Sequence, residues 1–186
     1  MAAGLLEFSE RGFQAVTVDD IALRAQVSHG TFYLYFANKD ALFGALAQQA
    51  LDAMGQLADE FPVITGDPAG RVALRGWIER FQQAYAAHAA VIRVLSQADA
   101  VGQEAWESGL KLLFRLADAA SGGMGTLRRR DDGARPHPDS PAHLTGLACL
   151  IMLERVSFLI SAGVSLPGPE MTDRLTAIFL AAFCAA

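Results

Sequence analysis

Apolar residues recur along this chain at spacings of three and four, and short polar, glycine-rich or proline-rich breaks separate these runs. Such spacing puts the apolar side chains on one face of a helix, so the pattern predicts an all-α fold. The two clearest breaks are Phe61–Pro68 and Ser121–Pro141, and we interpret the second as a mobile loop. Beyond the N-terminal region, helices are predicted at about Asn38–Glu60, at Pro68–His88 with a pause or bend before Val91–Ala98, and at Gly102–Ala120, Pro141–Gly163 and Pro169–Ala186.

The N-terminal pattern predicts two short helices joined by a tight turn. Thr17 is a favourable N-cap, and Asp20 stands three residues later, where its carboxylate can complete a capping box. Val16 and Ile21 have the spacing of a hydrophobic staple across this cap. The first helix of the pair therefore begins after Thr17, and the turn falls at residues 26–27.

The second helix of the pair is predicted to start at a Ser28 cap and to have two different faces. Phe32 and Phe36 are four residues apart and face the interior, and Asn38 caps a third helix. Two short helices joined in this way form a helix-turn-helix, with which many proteins place a helix in the major groove of DNA. The outer face of this helix carries His29, Gly30 and Tyr33, with Thr31 at its edge.

These residues resemble a known family. The run from Val27 to Phe43 reads V-S-H-G-T-F-Y-L-Y-F-A-N-K-D-A-L-F, and it resembles the recognition helix of the TetR family of bacterial transcription regulators. The resemblance covers roughly residues 3–46, about a quarter of the chain. It implies an all-helical homodimer with a helix-turn-helix DNA-binding domain at 1–46 and a helical effector-binding and dimerisation domain at 47–186. Effector binding usually releases the DNA in this family, so the protein is predicted to be a repressor.

The outer face of the predicted recognition helix suits a close approach to DNA. Gly30 has no side chain, so the backbone can come near the base edges, although glycine costs about 1 kcal/mol of helix propensity against alanine. Tyr33 offers a hydroxyl group and a flat apolar ring. The resemblance implies that Tyr35 and Lys39 contact phosphates. The predicted DNA-binding residues are Thr17, Ser28, His29, Gly30, Thr31, Tyr33, Tyr35 and Lys39.

The charge of this region is unusual for a protein that binds nucleic acid. Through Phe43 the sequence has three basic and five acidic residues, which leaves the region net negative. His29 stands where many members of the family carry lysine, and a neutral imidazole attracts phosphate less strongly. The sequence begins within the segment that resembles the first helix, so we expect either an upstream start or a missing basic arm. DNA binding is therefore predicted from geometry more than from charge.

Composition and hydropathy predict a cytoplasmic protein. The 186 residues are 52% apolar and have a formal net charge of -5, which argues against general affinity for nucleic acids or anionic membranes. No secretory signal is recognisable at the N-terminus. The longest apolar segment, Leu147–Ala162, carries Glu154 and Arg155 in its middle, so we do not interpret it as a membrane span. Cys149 and Cys184 have no metal-binding spacing and are predicted to be buried free thiols.

The last two predicted helices are apolar around most of their circumference. A helix that is apolar on more than one side is buried on more than one side, and the simplest additional partner is a second copy of the chain. The alternative is that these helices form the core of a monomer. A four-helix interface about a twofold axis agrees with the dimerisation that the resemblance implies. The predicted interface residues are Leu147, Ile151, Phe158, Leu175, Ile178, Phe179 and Phe183.

Aromatic stripes and one acidic residue mark a candidate effector site. Stripes with a four-residue repeat suit either core packing or the wall of an apolar pocket. Glu154 lies within an apolar run, where an unpaired carboxylate would be costly to bury. It could pair across a dimer, face solvent at a helix edge, or orient a ligand. The predicted effector is a small apolar or amphipathic molecule, and its candidate contacts are Trp77, Phe81, Tyr85, His88, Trp106, Phe114 and Glu154.

The sequence has no glycine-rich phosphate loop, no pair of zinc ligands at helical spacing and no nucleophile elbow, so no catalytic site, metal or cofactor is predicted. The predicted partners are double-stranded DNA, a second copy of the chain and an unknown small-molecule effector, with no membrane. Two alternatives remain open. One is a helical ligand-binding dimer with a vestigial DNA-binding head, and the other is a helical enzyme with polar groups that converge in a C-terminal cavity.

Overall fold

The computed structural model describes residues 1–95, 103–124, 141–165 and 168–185, without the side chains of residues 103–106, 168–169 and 184–185. All regular structure in these ranges is helical, as the hydrophobic spacing predicts. Within these ranges the chain forms α1 (Ala2–Arg11), α2 (Val18–Arg24), α3 (His29–Tyr35), α4 (Lys39–Asp59), α5 (Pro68–Leu95), α6 (Gln103–Gly123), α7 (Pro141–Ser161) and α8 (Gly168–Ala185).

The α5 helix differs from its prediction. It continues without interruption from Pro68 to Leu95, so the predicted pause before Val91 is wrong. Five of the seven residues at 84–90 are alanine, the residue with the highest helix propensity, and this run carries the helix across the predicted break.

The α6 helix also continues further than predicted. It includes Ser121 and ends at Gly123, whereas the pattern places a loop from Ser121 onward. The Ser121 hydroxyl is buried and lies 2.8 Å from the carbonyl oxygen of Ala117 and 2.9 Å from that of Ala142. These contacts hold the last turn of α6 against the first turn of α7. The rest of the predicted loop, at 125–140, lies outside the described residues.

The chain divides into two compact units, and the first contains Met1–Asp52 and His88–Gly109. Three aromatic rings form the centre of its core. The ring centres of Phe8 and Phe13 are 5.3 Å apart, and those of Phe13 and Phe43 are 4.9 Å apart. The other buried side chains of this core include Val16, Ile21, Phe32, Leu42, Leu46 and Val91.

The second unit contains Ala53–Ala87 and Leu110–Ala186. Trp77 of α5 is completely buried, and its Nε1–H donates to the carbonyl oxygen of Leu57 at 2.8 Å. The hydrogen bond satisfies the one polar atom of this large side chain, so the indole can lie in an otherwise apolar core.

The α6 and α7 helices of this unit approach closely at Gly146. A Cβ atom at this position would lie 2.9 Å from the carbonyl oxygen of Ala117 and 2.8 Å from Ser121 Oγ. Only glycine therefore leaves room for the two backbones. Cys149 lies one turn further along α7 and is a buried free thiol, as predicted, and burial raises its pKa to about 11. The side chain of Cys184 lies outside the described residues.

Candidate nucleic-acid interface

The α2 helix begins at the predicted capping box. The Thr17 N–H donates to Asp20 Oδ2 at 2.8 Å, and the Asp20 N–H donates to Thr17 Oγ1 at 3.2 Å. The Thr17 hydroxyl also donates to Asp20 Oδ2 at 2.6 Å, and Arg11 Nη1 lies 2.7 Å from Asp20 Oδ1. These contacts, the Thr17 hydroxyl above all, hold the pKa of Asp20 well below its usual range. The Thr17 side chain stays exposed, although the protein already uses its hydroxyl group.

One left-handed residue, Gln26, makes the turn between α2 and α3. Its φ of 56° lies in a region that costs most L-residues roughly 1–2 kcal/mol. The Gln26 N–H donates to the Leu23 carbonyl at 3.1 Å, and the Val27 N–H donates to the Ala22 carbonyl at 3.0 Å. This pair of bonds is a Schellman motif, which ends α2 and redirects the chain into α3.

The α3 helix buries one face and presents the opposite face to solvent. Phe32 is buried, and Phe36 packs against the same core. Ser28 Oγ accepts a hydrogen bond from the Thr31 N–H at 3.1 Å, so the predicted N-cap is confirmed. The three residues predicted for the outer face, His29, Gly30 and Tyr33, are exposed in the structure, and Thr31 at its edge is partly buried. Tyr35, a predicted phosphate contact, is also exposed.

A small polar network covers the N-terminal half of α3. His29 Nε2 lies 3.4 Å from Oδ1 of Asp19, and the imidazole meets the Tyr33 ring edge-on with 4.9 Å between ring centres. The hydroxyl oxygens of Ser28 and Thr31 are 2.8 Å apart. The network holds His29 and Tyr33 side by side, and it also places an exposed carboxylate next to the imidazole.

Lys39 has a structural role that the sequence pattern does not predict. Its ammonium group donates to the carbonyl oxygens of Phe13 at 2.8 Å and Val16 at 3.0 Å, and it lies 4.4 Å from the centre of the Phe13 ring. Two of its three N–H donors are therefore satisfied within the protein. Lys39 fixes the loop between α1 and α2 to the start of α4, and its contact with phosphate stays a prediction. Asn38 caps α4 as predicted, because its Oδ1 accepts from the Ala41 N–H at 2.7 Å.

The two arginines of the helix-turn-helix region are engaged in ion pairs. Arg24 Nε lies 2.5 Å from Glu7 Oε1, and its terminal nitrogens bind Glu10. Arg11 pairs with Asp20 at 2.7 Å and with Glu7 at 3.3 Å. Because carboxylates neutralise both guanidinium groups, the interface depends on shape and hydrogen-bonding groups more than on free positive charge.

The predicted contact set does not include Leu34, although it is prominent on the exposed face of α3. Leu34 keeps 83% of its surface, the largest fraction among the large apolar side chains that the structure describes. It stands four residues after Gly30, just as Phe36 stands four residues after Phe32. The helical period that places the phenylalanines inside therefore also places Leu34 outside.

Three predicted effector residues form part of the core of the second unit. Trp77, Phe81 and Tyr85 are 0%, 3% and 1% exposed. Adjacent rings lie 5.6 Å and 6.3 Å apart between centres, so the side chains pack on one another. The protein itself covers most of the surface of these three side chains, so they pack in the core of the second unit, and their contact with an effector stays a prediction.

The remaining predicted effector residues differ in burial and in hydrogen bonding. The Tyr85 hydroxyl donates to Glu154 Oε1 at 2.9 Å, so Glu154 has a partner within its own subunit. The Phe114 ring is half exposed on α6. His88 is partly buried in the first unit, and burial lowers its pKa. The side chain of Trp106 lies outside the described residues.

The α8 helix buries three of the predicted dimer-interface residues inside its own subunit. Leu175, Phe179 and Phe183 are 2%, 0% and 1% exposed. A side chain without surface cannot contact a partner, so these three assignments are wrong for this conformation. The predicted interface residues that keep exposed or partly exposed surface are Leu147, Ile151, Phe158 and Ile178.

A groove of about 420 Å³ lies within the first unit. The end of α1 and the loop after it form one wall, and Ala90, Arg93 and Val94 of α5 form the other. None of the predicted effector residues lines this groove.

Comparison with known proteins extends the likeness over nearly the whole chain. Residues 1–46 match the family described as bacterial regulatory proteins, tetR family. The HTH-type transcriptional regulator EthR of Mycobacterium tuberculosis is 28% identical, over 96% of this chain and 82% of EthR. The crystal structure of a TetR-like transcriptional regulator from Rhodococcus sp. RHA1 has a TM-score of 0.70 and 25% identity, over 96% of this chain and 90% of that one. PfmR from Thermus thermophilus has a TM-score of 0.69 and 20% identity, over 97% and 94% of the two chains.

The relatives are named as transcriptional regulators and not as enzymes, which decides against the alternative of a helical enzyme. The comparisons agree with the structure, in which a capped α2, a tight turn and an outward-facing α3 form a helix-turn-helix. This chain therefore belongs to the TetR family of bacterial transcriptional regulators, and it is a helix-turn-helix DNA-binding protein.

Proposed function

We propose that the protein is a ligand-responsive repressor that binds a palindromic operator as a homodimer. The observation that carries the proposal is the outer face of α3, where His29, Gly30 and Tyr33 are exposed while Phe32 is buried. This arrangement suits a helix whose N-terminal half reaches the base edges in a major groove. Hydroxyl groups at the margin of the same surface would bind phosphates or bases, and they belong to Thr17, Ser28, Thr31 and Tyr35.

The dimer is proposed to form through the exposed side of α7 together with Ile178 of α8. On α7, Leu144 keeps 58% of its surface and Ile151 keeps 49%, and Ile178 keeps 46%. A second copy would remove this apolar surface from water. Twofold symmetry would then place two α3 helices in successive major grooves, about 34–36 Å apart, which is why the operator is proposed to be palindromic.

The same α7 helix is long and apolar enough to cross a membrane by length and composition, but that is weak evidence because core helices pass the same test. Glu154 and Arg155 lie in its middle. Tyr85 donates to Glu154, and Arg155 lies 5.0 Å from the centre of the Phe158 ring. A protein partner accounts for the apolar surface without placing two charged side chains in lipid, so we assign the protein to the cytoplasm.

We place the effector site in the second unit, at the hydrogen bond between Tyr85 and Glu154. Glu154 is partly buried on an apolar helix, and its second carboxylate oxygen can accept a hydrogen bond from a ligand. An apolar helix that carries one carboxylate suits a small apolar or amphipathic effector. Binding would favour a dimer shape whose α3 helices no longer match the groove spacing. On this basis residues 1–46 bind DNA, and residues 47–186 bind the effector and dimerise.

The proposal is tested by operator binding of a Tyr33→Ala variant. Fluorescence anisotropy with DNA from upstream of the gene compares the variant with the wild type. Loss of the ring and hydroxyl group is expected to weaken specific binding by about 1–3 kcal/mol. Helicity and dimer content should not change, because Tyr33 is half exposed. Equal affinity of the two proteins for the operator would remove Tyr33 from the interface.

The ion pairs within residues 1–46, which we call the head, favour a second candidate. This candidate is a ligand-binding dimer with a vestigial DNA-binding head. Arg11 and Arg24 are neutralised by carboxylates, and Asp19 stands beside His29 at the start of α3. This candidate predicts no sequence-specific binding, with or without an N-terminal basic extension. A gel shift with upstream DNA and an unrelated competitor decides between the candidates, because retention of one specific duplex in excess competitor rejects the vestigial head.

A further inference from the structure

The direction of Leu34 follows from the helical period and from burial. Successive residues of a helix are about 100° apart, so Leu34 lies about 200° around the axis from Phe32, and Gly30 lies about 160° from it. Phe32 points into the core of the first unit and is 6% exposed. Gly30 and Leu34 therefore form the ridge of α3 that is most remote from the core, and the 83% exposure of Leu34 agrees with this direction.

Along this ridge, open space above Gly30 lies next to the apolar side chain of Leu34. A Cβ atom added at Gly30 would meet only Ser28 Oγ, at 3.8 Å, so the surface above the glycine is open. A duplex that approaches the backbone at Gly30 meets Leu34 one turn later, on the same line along the helix. The leucine would then face the groove one turn beyond the point of closest backbone approach.

The base edges of the major groove are hydrogen-bond donors and acceptors, with one apolar exception. That exception is the C5-methyl group of thymine. A leucine that met donors and acceptors would remove them from water without replacing their hydrogen bonds, which is unfavourable. A leucine that met the methyl group would bury apolar surface on both sides.

We propose that Leu34 is a specificity-determining residue that contacts the C5-methyl group of a thymine in each half of the operator. The proposal rests on the proposed function, because it requires a specific operator. It adds a base preference that the polar residues of α3 do not supply.

Leu23 provides a matched control. It is the same residue type and is 80% exposed, but it belongs to α2, the helix that crosses the DNA backbone in a helix-turn-helix. If exposed leucine alone were the cause, both residues would affect thymine recognition equally. If position on α3 is the cause, only Leu34 will do so.

The experiment replaces each operator thymine in turn by deoxyuridine, which removes only the methyl group. The operator is first selected from a random duplex pool with the wild-type protein. One symmetric pair of replacements is expected to weaken wild-type binding by about three- to fivefold for each half-site, the scale of one buried methyl group. Leu34→Ala should bind the thymine and deoxyuridine operators equally well, and Leu23→Ala should keep the wild-type preference.

The outcomes distinguish a failure of the Leu34 inference from a failure of the repressor proposal. If Leu34→Ala keeps the full preference for thymine, or if no replacement affects the wild-type protein, the inference about Leu34 is overturned while the repressor proposal stands. If selection yields no preferred duplex, the repressor proposal and the inference both fail. Circular dichroism checks that the variants are folded, which is expected because both leucines are exposed.

Discussion

At the residue scale, Gly30 is expected to affect folding stability and DNA affinity in opposite directions. The open space above it gives the protein no internal reason to keep a glycine in a helix. Gly30→Ala is therefore expected to raise the free energy of unfolding by up to about 1 kcal/mol, because alanine has the higher helix propensity. The same change should weaken operator binding, since the added methyl group would stand between the backbone and the bases. Urea unfolding and fluorescence anisotropy measure the two effects.

Gly44→Ala is the control for this variant. Gly44 is also a helical glycine with open space around it, and it lies on α4. It should give a similar gain in stability without a change in DNA affinity. Operator binding by Gly30→Ala at wild-type strength would mean that the helix does not approach the bases closely at this point.

Asp20 is expected to make the first unit sensitive to acid. The Thr17 hydroxyl, and after it Arg11, hold the pKa of this carboxyl below its ordinary value of about 3.9. The unfolded chain therefore takes up the proton more readily than the folded protein. The stabilisation from Asp20 is present above pH ~4 and is lost as the pH falls below that value. Asp20→Asn should lower the urea midpoint at pH 7 and make it less dependent on pH between 4 and 2. Parallel curves for the variant and the wild type would contradict this account.

At the element scale, the contact between α6 and α7 depends on a glycine that cannot be replaced. A methyl group at Gly146 would come within 2.9 Å of the Ala117 carbonyl oxygen, which belongs to a rigid helix. Gly146→Ala is therefore expected to reduce the free energy of unfolding by roughly 1–3 kcal/mol, the typical cost of overpacking. Gly76→Ala on α5 should instead be neutral or stabilising, because its nearest neighbour is the end of the Arg80 side chain at 3.9 Å. Equal stabilities of the two variants in urea would show that the helices can move apart at little cost.

The element boundaries of the helix-turn-helix could be predicted because their causes are local. Thr17 and Asp20 are three residues apart, and Ser28 caps α3 through the N–H of the third residue after it. The partners of Lys39 could not be predicted in this way. They are carbonyl oxygens 26 and 23 residues away, and no periodicity identifies them.

The buried faces of the apolar C-terminal helices could not be predicted from the sequence either. On α8 the apolar positions 178 and 179 are adjacent, so composition cannot say which of them points inward. The fold decides, because Phe179 is completely buried and Ile178 keeps 46% of its surface. The spacing of apolar residues identifies the buried face of a helix when polar residues occupy the other face, as they do on α3. It cannot identify the buried face when both faces are apolar.

At the scale of the whole molecule, weak attraction between the head and DNA makes the proposed dimer more important. The chain has a net charge of -5, and the arginines of the head are paired. One head alone should therefore bind a half-site weakly. Two heads held at the correct separation act together, and linkage of this kind can raise overall affinity by about 10²–10⁴-fold without any new contact. Specific binding should consequently fall steeply when the dimer is lost.

A charge on the exposed face of α7 tests this dependence. Ile151 keeps 49% of its surface within one subunit, so Ile151→Glu should leave the subunit folded but place a carboxylate in the proposed apolar interface. The variant is expected to be monomeric by light scattering and to lose about 10²–10⁴-fold in affinity for the full operator. Its affinity for an isolated half-site should match that of the wild type. Val72→Glu is the control, since Val72 is 69% exposed on α5 and lies outside the proposed interface. A dimeric Ile151→Glu protein with full operator affinity would move the interface away from this face of α7.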